Sequence, residues 1–287
     1  MVLIPSTQAK DFMKEVKNFD PNSENILDWN DKKYYSDITM ISNSMLKHLK
    51  DSPQHLDSYL KHPSWREEKQ SYIDGRALHC MVLEYEKFND LYFTVDDNEK
   101  CEEIGGAKPR STKIYKEWKA ELLNENIDKQ FISFSWYCDI KYIKEKLDKI
   151  PQYVQLMQNT KKEIAYTKQL KGINCKCKVD AINPGNYIVD LKGYKECPNP
   201  SNFNKLVHMY SLLRQAAFYS DITGVKQFWF VCVEKTYPFT VGLYEISEEK
   251  LKLGRLEYEE LLEIYKANLE NFKNDDLMEK FIYMNTY

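Results

Sequence analysis

Residues Gly172 to Lys195 read GINCKCKVDAINPGNYIVDLKGYK. Apolar and polar residues alternate with a period of two on both sides of Asn183-Pro184-Gly185-Asn186, which predicts two strands and a turn. Proline presets one φ in that turn and glycine tolerates a positive one. On the first strand Ile173, Cys175, Cys177, Val179 and Ala181 are expected on one face, with Asn174, Lys176, Lys178 and Asp180 on the other. On the second, Ile188, Asp190 and Lys192 share a face opposite Tyr187, Val189 and Leu191. With an odd-numbered connection, Asp180 lies across from Asp190 and Lys178 across from Lys192. Facing carboxylates repel unless a cation sits between them. A hard divalent ion such as Mg²⁺ suits such a place, since it takes one or two carboxylates plus water and phosphate oxygens.

Asp180 followed across a hairpin by Asp190-Leu191-Lys192 resembles the PD-(D/E)xK nuclease signature, a short pattern that needs support from the rest of the chain. The 287 residues, 43% hydrophobic with only 9 Gly and 10 Pro, suffice for one large domain. No apolar run is long enough to span a bilayer, and the N-terminus lacks the pattern of a secretory signal. These features predict a cytoplasmic protein without membrane attachment. Seven scattered cysteines include no CxxC pair, which argues against structural zinc and fits reduced, buried thiols. The net charge of −3 is unevenly spread. The stretch from Glu245 onward holds eleven acidic and six basic residues, while lysines gather near the hairpin and over 108–119. Local field governs phosphate binding more than total charge.

Along the chain, residues 1–40 read as an irregular arm with one short helix near Ala9–Phe19, and 41–287 as a single domain. Ser42 is placed to cap a helix carrying Met45, Leu46 and Leu49, and Ser52-Pro53 ends it. Residues 73–84 form a mostly buried helix whose one oddity is His79. Residues 94–112 read as a loop. Helices follow at 114–122, 131–147 and 153–157, then a strand over Lys161–Leu170 whose Glu163 points to the hairpin's polar face or to solvent. One long helix is expected over 203–220, with Gln215 and Tyr219 one turn apart. Val225–Val233 reads as a central strand covered on both faces. Val241–Ile246 is another strand, Ser247 starts a long amphipathic helix, and the apolar tail Met278–Tyr287 is expected to dock. The fold class is α/β: a central mixed sheet flanked by helices, with an N-terminal helical region.

Ile41-Ser42-x-Ser44-Met45-Leu46, Gly75-Arg76-Ala77-x-His79-x-x-Val82-Leu83-Glu84, Lys178-Val179-Asp180, Asp190-Leu191-Lys192, Gln215-Ala216-x-x-Tyr219 and Gly254-Arg255-x-x-Tyr258 occur in this order. Together they resemble the exonuclease VIII (RecE-type) family of phage and prophage nucleases, within the RecB-like and lambda-exonuclease-like PD-(D/E)xK enzymes. One departure is Gly193, where many relatives carry Thr, which would remove a hydroxyl near the site. The resemblance implies that Asp180, Asp190, His79 and the Leu191 carbonyl hold Mg²⁺, with Mn²⁺ as the alternative and no iron–sulfur cluster. It implies that Lys192 orients the attacking water and that Gln215 and Tyr219 line the site. It further implies digestion of linear double-stranded DNA from the 5′ end, a ring-shaped homo-oligomer, an annealing protein that receives the 3′ tail, and a phage or prophage gene in a bacterial host. Arg76, Lys108 and Arg110 are then candidates, on charge alone, for the DNA end, with Lys178 and Ser44 as further DNA contacts. The competing readings are an endonuclease or repair nuclease of the same superfamily, and an inactive DNA-binding scaffold.

Overall fold

The structure is a computed structural model and describes residues 25–62 and 69–273. The chain opens with β1 (Ile26–Leu27) and α1 (Asp31–Ser36). Next come α2 (Asn43–Asp51), capped by Ser42 Oγ, and α3 (Pro53–Lys61), capped by Ser52 with Pro53 in its first turn. A layer of α4 (Gln70–Leu83), α5 (Phe88–Leu91), β2 (Tyr92–Phe93), α6 (Asn98–Ile104), α7 (Lys113–Glu125), β3 (Gln130–Phe131), α8 (Phe134–Leu147) and α9 (Pro151–Met157) follows. The central strands β4 (Lys161–Leu170), β5 (Ile173–Asn183) and β6 (Tyr187–Tyr194) lead into α10 (Pro200–Met209) and α11 (Leu212–Thr223). The chain then runs through β7 (Gln227–Glu234), β8 (Val241–Glu245), α12 (Glu248–Ala267) and α13 (Leu269–Lys273).

Six strands form one mixed sheet in the order β1-β4-β5-β6-β7-β8, and β2 pairs with β3 apart from it. Among the described strands of the large sheet only β6 and β7 run parallel, because α10 and α11 carry the chain back between them. A core on one face joins Met45, Leu46 and Leu49 to Phe218, Phe228, Phe230 and Leu262. A second core, on the other face, joins Leu78, Met81, Ile140 and Ile143 to Val189, Leu191 and Val231. The mixed α/β architecture expected from the sequence is therefore present, with β7 buried from both sides.

The sheet forks at its centre. Between β5 and β6 the register is Asn183↔Tyr187, Ile182↔Ile188 and Ala181↔Val189, and pairing stops there. Asp180 and Asp190 are next in that register, as the odd-numbered turn predicts, but they flank the opening rather than a ladder rung. Beyond the opening β5 stays with β4, β6 stays with β7, and Ile41 bridges to Cys175. The ladder between β4 and β5 also skips one position, the Glu163–Asp180 pair, and Glu163 adopts a φ of +54°. A left-handed non-glycine residue inside a strand is strained and turns its side chain out of the regular alternation. Alternation fails on β5 as well. Cys175, Cys177 and Val179 enter the first core, Ala181 enters the second, and Ile182 returns to the first. The single face assigned to Ile173 through Ala181 from periodicity thus breaks at Asp180.

Three other expectations change. The described part of the arm, 25–40, is ordered against the body. β1 pairs with β4, and the Lys176 ammonium, 2% exposed as a residue, reaches the carbonyls of Tyr34 (2.5 Å) and Asp37 (2.7 Å). Such a buried charge is tolerated only with close partners of this kind. The helix expected near Ala9–Phe19 and the tail at 278–287 lie outside the described residues. The helix expected over 203–220 is two, broken where Ser211 takes a φ of +50° and its hydroxyl accepts the Lys50 ammonium at 2.9 Å. The loop expected over 94–112 contains α6. It is folded back by Asp97, which accepts from Nε and Nη2 of Arg110 at 2.7 Å each and from the Tyr115 hydroxyl.

Candidate active site

Two layers and the fork between them supply the polar groups. From α4, His79 Nδ1 stands 3.4 Å from Asp180 Oδ2. The same carboxylate oxygen accepts the Leu191 amide at 2.7 Å, which ties the two arms of the fork together. Glu163 joins them: ligand atoms of His79, Glu163 and Asp180 all lie within 4.8 Å of one another. Asp190, 2% exposed, is engaged from both sides. Lys192 Nζ is 2.6 Å from its Oδ2, and Gln215 Nε2 on α11 donates to its Oδ1 at 2.6 Å. Lys178 contacts Glu163 at 2.5 Å and Asp31 of α1 at 2.6 Å.

Burial and crowding split these acids apart. Burial pushes Asp190 up to about 6, aided by Asp180 and resisted by Lys192. Burial and the Asp180 charge push Glu163 up to about 7, against the pull of Lys178. Burial acts the same way on Asp180, but His79, Lys192 and the Leu191 amide overcome it and hold this carboxylate below its ordinary value. His79 shifts upward in turn: Asp180 outweighs its desolvation. Lys192 is likewise raised, as Asp190 and Asp180 outweigh its burial. Buried acids whose proton affinity is raised in this way fit a divalent cation, which would take the protons' place. The donor set, one imidazole and two carboxylates, suits Mg²⁺ or Mn²⁺. His79, Glu163 and Asp180 would hold it, with Asp190 on the border.

The helix that presents Gln215 is fixed from behind. An ideal Cβ on Gly254 of α12 would stand 1.9 Å from the Leu213 carbonyl oxygen, so only glycine lets α12 lie this close to α11. Arg255 pairs with both oxygens of Asp221 at 2.6 and 2.7 Å, and the Tyr258 hydroxyl donates to the same carboxylate at 2.5 Å. The Gly254-Arg255-x-x-Tyr258 run is therefore a clamp between α12 and α11. Arg214, 1% exposed in its side chain, adds Glu257 at 3.2 Å and Asn43 at 3.0 Å. Tyr219 lies one turn beyond Gln215. Burial raises its phenol well above the ordinary value, with Tyr34, Asp190 and Asp180 contributing.

The structure thus brings together His79, Asp180, Asp190, Leu191, Lys192 and Gln215, with Tyr219 within electrostatic reach. Lys178 sits at the same place, with its ammonium shared between two carboxylates. The remaining candidates are dispersed. Arg76 donates to Gln130 at 3.1 Å, Arg110 is held by Asp97, and Lys108 and Ser44 are exposed. At Gly193 a Cβ would meet Leu78 at 2.7 Å. A side chain here would enter the α4 layer, away from the face of Asp190 and Lys192, so its lack takes no hydroxyl from beside the lysine. Glu163 is the acid that strand alternation left undecided. Its position opposite Asp180 follows from the β4–β5 register, which a sequence does not display. Asp221 and Arg214 carried no signal beyond helical spacing.

Among the described residues no helix is long and apolar enough to cross a membrane. A comparison with curated proteins finds no match. A crystal structure described as "Putative exonuclease" from Eubacterium rectale superposes with a TM-score of 0.56 at 16% identity, over 91% of this chain and 96% of that one. At that identity the likeness speaks for the fold. The structure of SSO0001 covers 71% of this chain and 89% of its own at 14% identity, with a TM-score of 0.29, too low to argue from. Residues 42–285 match the family described as a PDDEXK-like domain of unknown function (DUF3799). With the forked sheet and its Asp180, Asp190-Leu191-Lys192 apex, the chain belongs to this PDDEXK-like family.

Proposed function

We propose that the protein is a metal-dependent deoxyribonuclease acting on the ends of linear double-stranded DNA, removing nucleotides from the 5′ strand to leave 3′ single-stranded tails. The observation that carries the reading is the apex itself. Three carboxylates, an imidazole, a lysine and a glutamine converge from both helical layers on one split in the sheet. A purely structural protein has no physical reason to bury Asp190 and crowd Glu163 against Asp180. The fold neighbour from Eubacterium rectale, described as a "Putative exonuclease", supports the choice of reaction.

A divalent cation held by His79, Glu163 and Asp180 would supply charge to offset a phosphoryl oxygen. Lys192 orients the attacking water and offsets charge that develops on the phosphorus centre. Gln215 fixes the Asp190 carboxylate, and Asp190 in turn holds Lys192 on its target. Tyr219 lines the strand's path. A ring of identical subunits and an annealing partner for the tail belong to the same reading.

The test is digestion of a linear duplex with a 5′-phosphate, labelled separately at each end, by wild type and Lys192→Ala in Mg²⁺. Release of 5′-terminal nucleotides by wild type alone is expected. Cutting of a closed circle would replace the end-dependent reading with an endonuclease. Binding without any cutting would make the protein a scaffold.

A further inference from the structure

Beside Lys192 the surface opens into a cleft of about 290 Å³ lined by Lys192, Gly193, Tyr194, Tyr210, Leu212 and Gln215. It lies on the α11 side of the sheet, at the break between α10 and α11. The break leaves the first turn of α11 without a side-chain cap: Ser211 is left-handed where a capping residue is extended, and its hydroxyl meets Lys50 instead. Unfilled backbone amides at a helix start favour an anion, and the Lys192 ammonium adds charge at the same cleft. None of the six lining residues is acidic.

The aromatic wall is the second, independent observation. Tyr194 is 6% exposed, and among the described residues its hydroxyl has no hydrogen-bond partner. A buried hydroxyl left unpaired costs free energy unless a ligand or water supplies a partner. Tyr210 is 46% exposed, with its ring 5.7 Å from that of Tyr194 at 35°. A half-exposed tyrosine fixed over a second ring is a platform on which a flat base can stack.

We propose that this cleft is a nucleotide subsite, which takes one nucleoside 5′-monophosphate unit of the strand being cut. The base lies against Tyr210, and the phosphate faces Lys192 and the opening turn of α11. The inference deepens the nuclease reading and rests on it for the identity of the strand, but the binding chemistry stands apart from cleavage. Of the aromatic residues near the apex, Tyr219 packs against the first core, whereas Tyr210, 46% exposed, borders the cleft.

The experiment is calorimetric titration of the full chain, in buffer with Mg²⁺, with deoxyadenosine monophosphate, deoxyadenosine and inorganic phosphate. Wild type, Tyr210→Phe and Tyr210→Ala are compared, and a thermal melt of each variant confirms folding. The monophosphate is expected to bind more tightly than either fragment. Tyr210→Phe keeps the ring and should keep the affinity, whereas Tyr210→Ala should lose about ten- to a hundredfold. In the cleavage assay the Tyr210→Ala loss is expected in KM rather than kcat. Equal affinity in all three proteins, absence of monophosphate binding, or equal binding of deoxyadenosine would each overturn the subsite. The two readings fail separately. Cleavage without Tyr210-dependent binding removes the subsite and leaves the nuclease. Tyr210-dependent binding with no cleavage of any DNA does the reverse.

Discussion

Replacing Gly254 with alanine separates two physical expectations of opposite sign. In the middle of an exposed helix the change stabilises by about 1 kcal/mol, because alanine is the better helix former. Here the new Cβ would stand 1.9 Å from the Leu213 oxygen, 2.3 Å from its carbonyl carbon and 2.9 Å from the Arg214 nitrogen. All three are backbone atoms, so no side-chain rotation relieves the clash. Ordinary contact begins near 3.4 Å, so α12 must retreat from α11 by about 1.5 Å. Overpacking of this kind costs about 1–3 kcal/mol. The retreat also loosens the Arg255–Asp221 pair and the Tyr258 hydrogen bond that hold α11. For a chain of this size the expected fall in Tm is about 2–12 °C. Gln215, whose bond to Asp190 is 2.6 Å, shares the displaced helix, and misplacing a positioning group by about 1 Å can cost about a hundredfold in rate. Thermal unfolding and nuclease rates measured on the same preparation would decide. A Gly254→Ala protein that melts higher than wild type, with full activity, would refute the clamp.

Glu163→Gln keeps the shape of the side chain and removes its charge. Titration with Mn²⁺ should show affinity reduced by at least about tenfold, and unchanged affinity would take Glu163 out of the ligand set. The metal-free protein should lose stability as pH rises from about 5 to about 8. Glu163 (about 7) and Asp190 (about 6) hold protons in the folded state that the unfolded chain, with ordinary values of 4.5 and 3.8, has already released. Their contribution is therefore full below the unfolded values and is lost as pH passes the folded ones. The raised His79 acts in the same sense, whereas the depressed Asp180 acts only in more acid solution. Urea midpoints in chelator that rise or stay flat over this range would contradict the assignment.

What the sequence disclosed follows the range of the interactions concerned. The hairpin, the Ser42 and Ser247 caps and the buried strand β7 are written in local patterns of two to four residues, and they were readable. The fork was half readable: the turn length set the register that brings Asp180 toward Asp190. That pairing stops at Ala181↔Val189 depends on Ile41 and β7 claiming the separated strands, which is a long-range competition. The break at Ser211 was hidden because Phe203, Leu206, Val207, Tyr210, Leu213 and Ala217 keep helical spacing through it. The Lys50 ammonium that meets Ser211 at the break lies 161 positions away. Gly254-Arg255-x-x-Tyr258 was visible as a motif, but its role was not, because the partner, Asp221, is an unremarkable residue of another helix.

The charges at the apex connect the fold to the chemistry. Among the described residues, the basic partners of Asp31, Glu163, Asp180 and Asp190 are Lys178, Lys192 and His79. Fully ionised, the acids exceed the lysines by two, and even a protonated His79 leaves an excess of negative charge. A phosphodiester brought to such a place is repelled by several kT unless protons or a cation make up the difference. Protons can do so at mild acidity, as the raised Glu163 and Asp190 indicate, but a protonated Asp190 would weaken its grip on Lys192. A divalent cation instead leaves all three apex acids ionised and Lys192 paired. The same excess accounts for the lysines at this site. Lys178 is spent on holding Glu163 and α1, so it contributes little field toward DNA, whereas Lys192, held by one acid and bordering the cleft, is the cation placed to meet a phosphate. A chain with a net charge of −3 can therefore handle a polyanion if its binding depends on one metal-balanced point and on stacking at Tyr210 rather than on a broad basic surface.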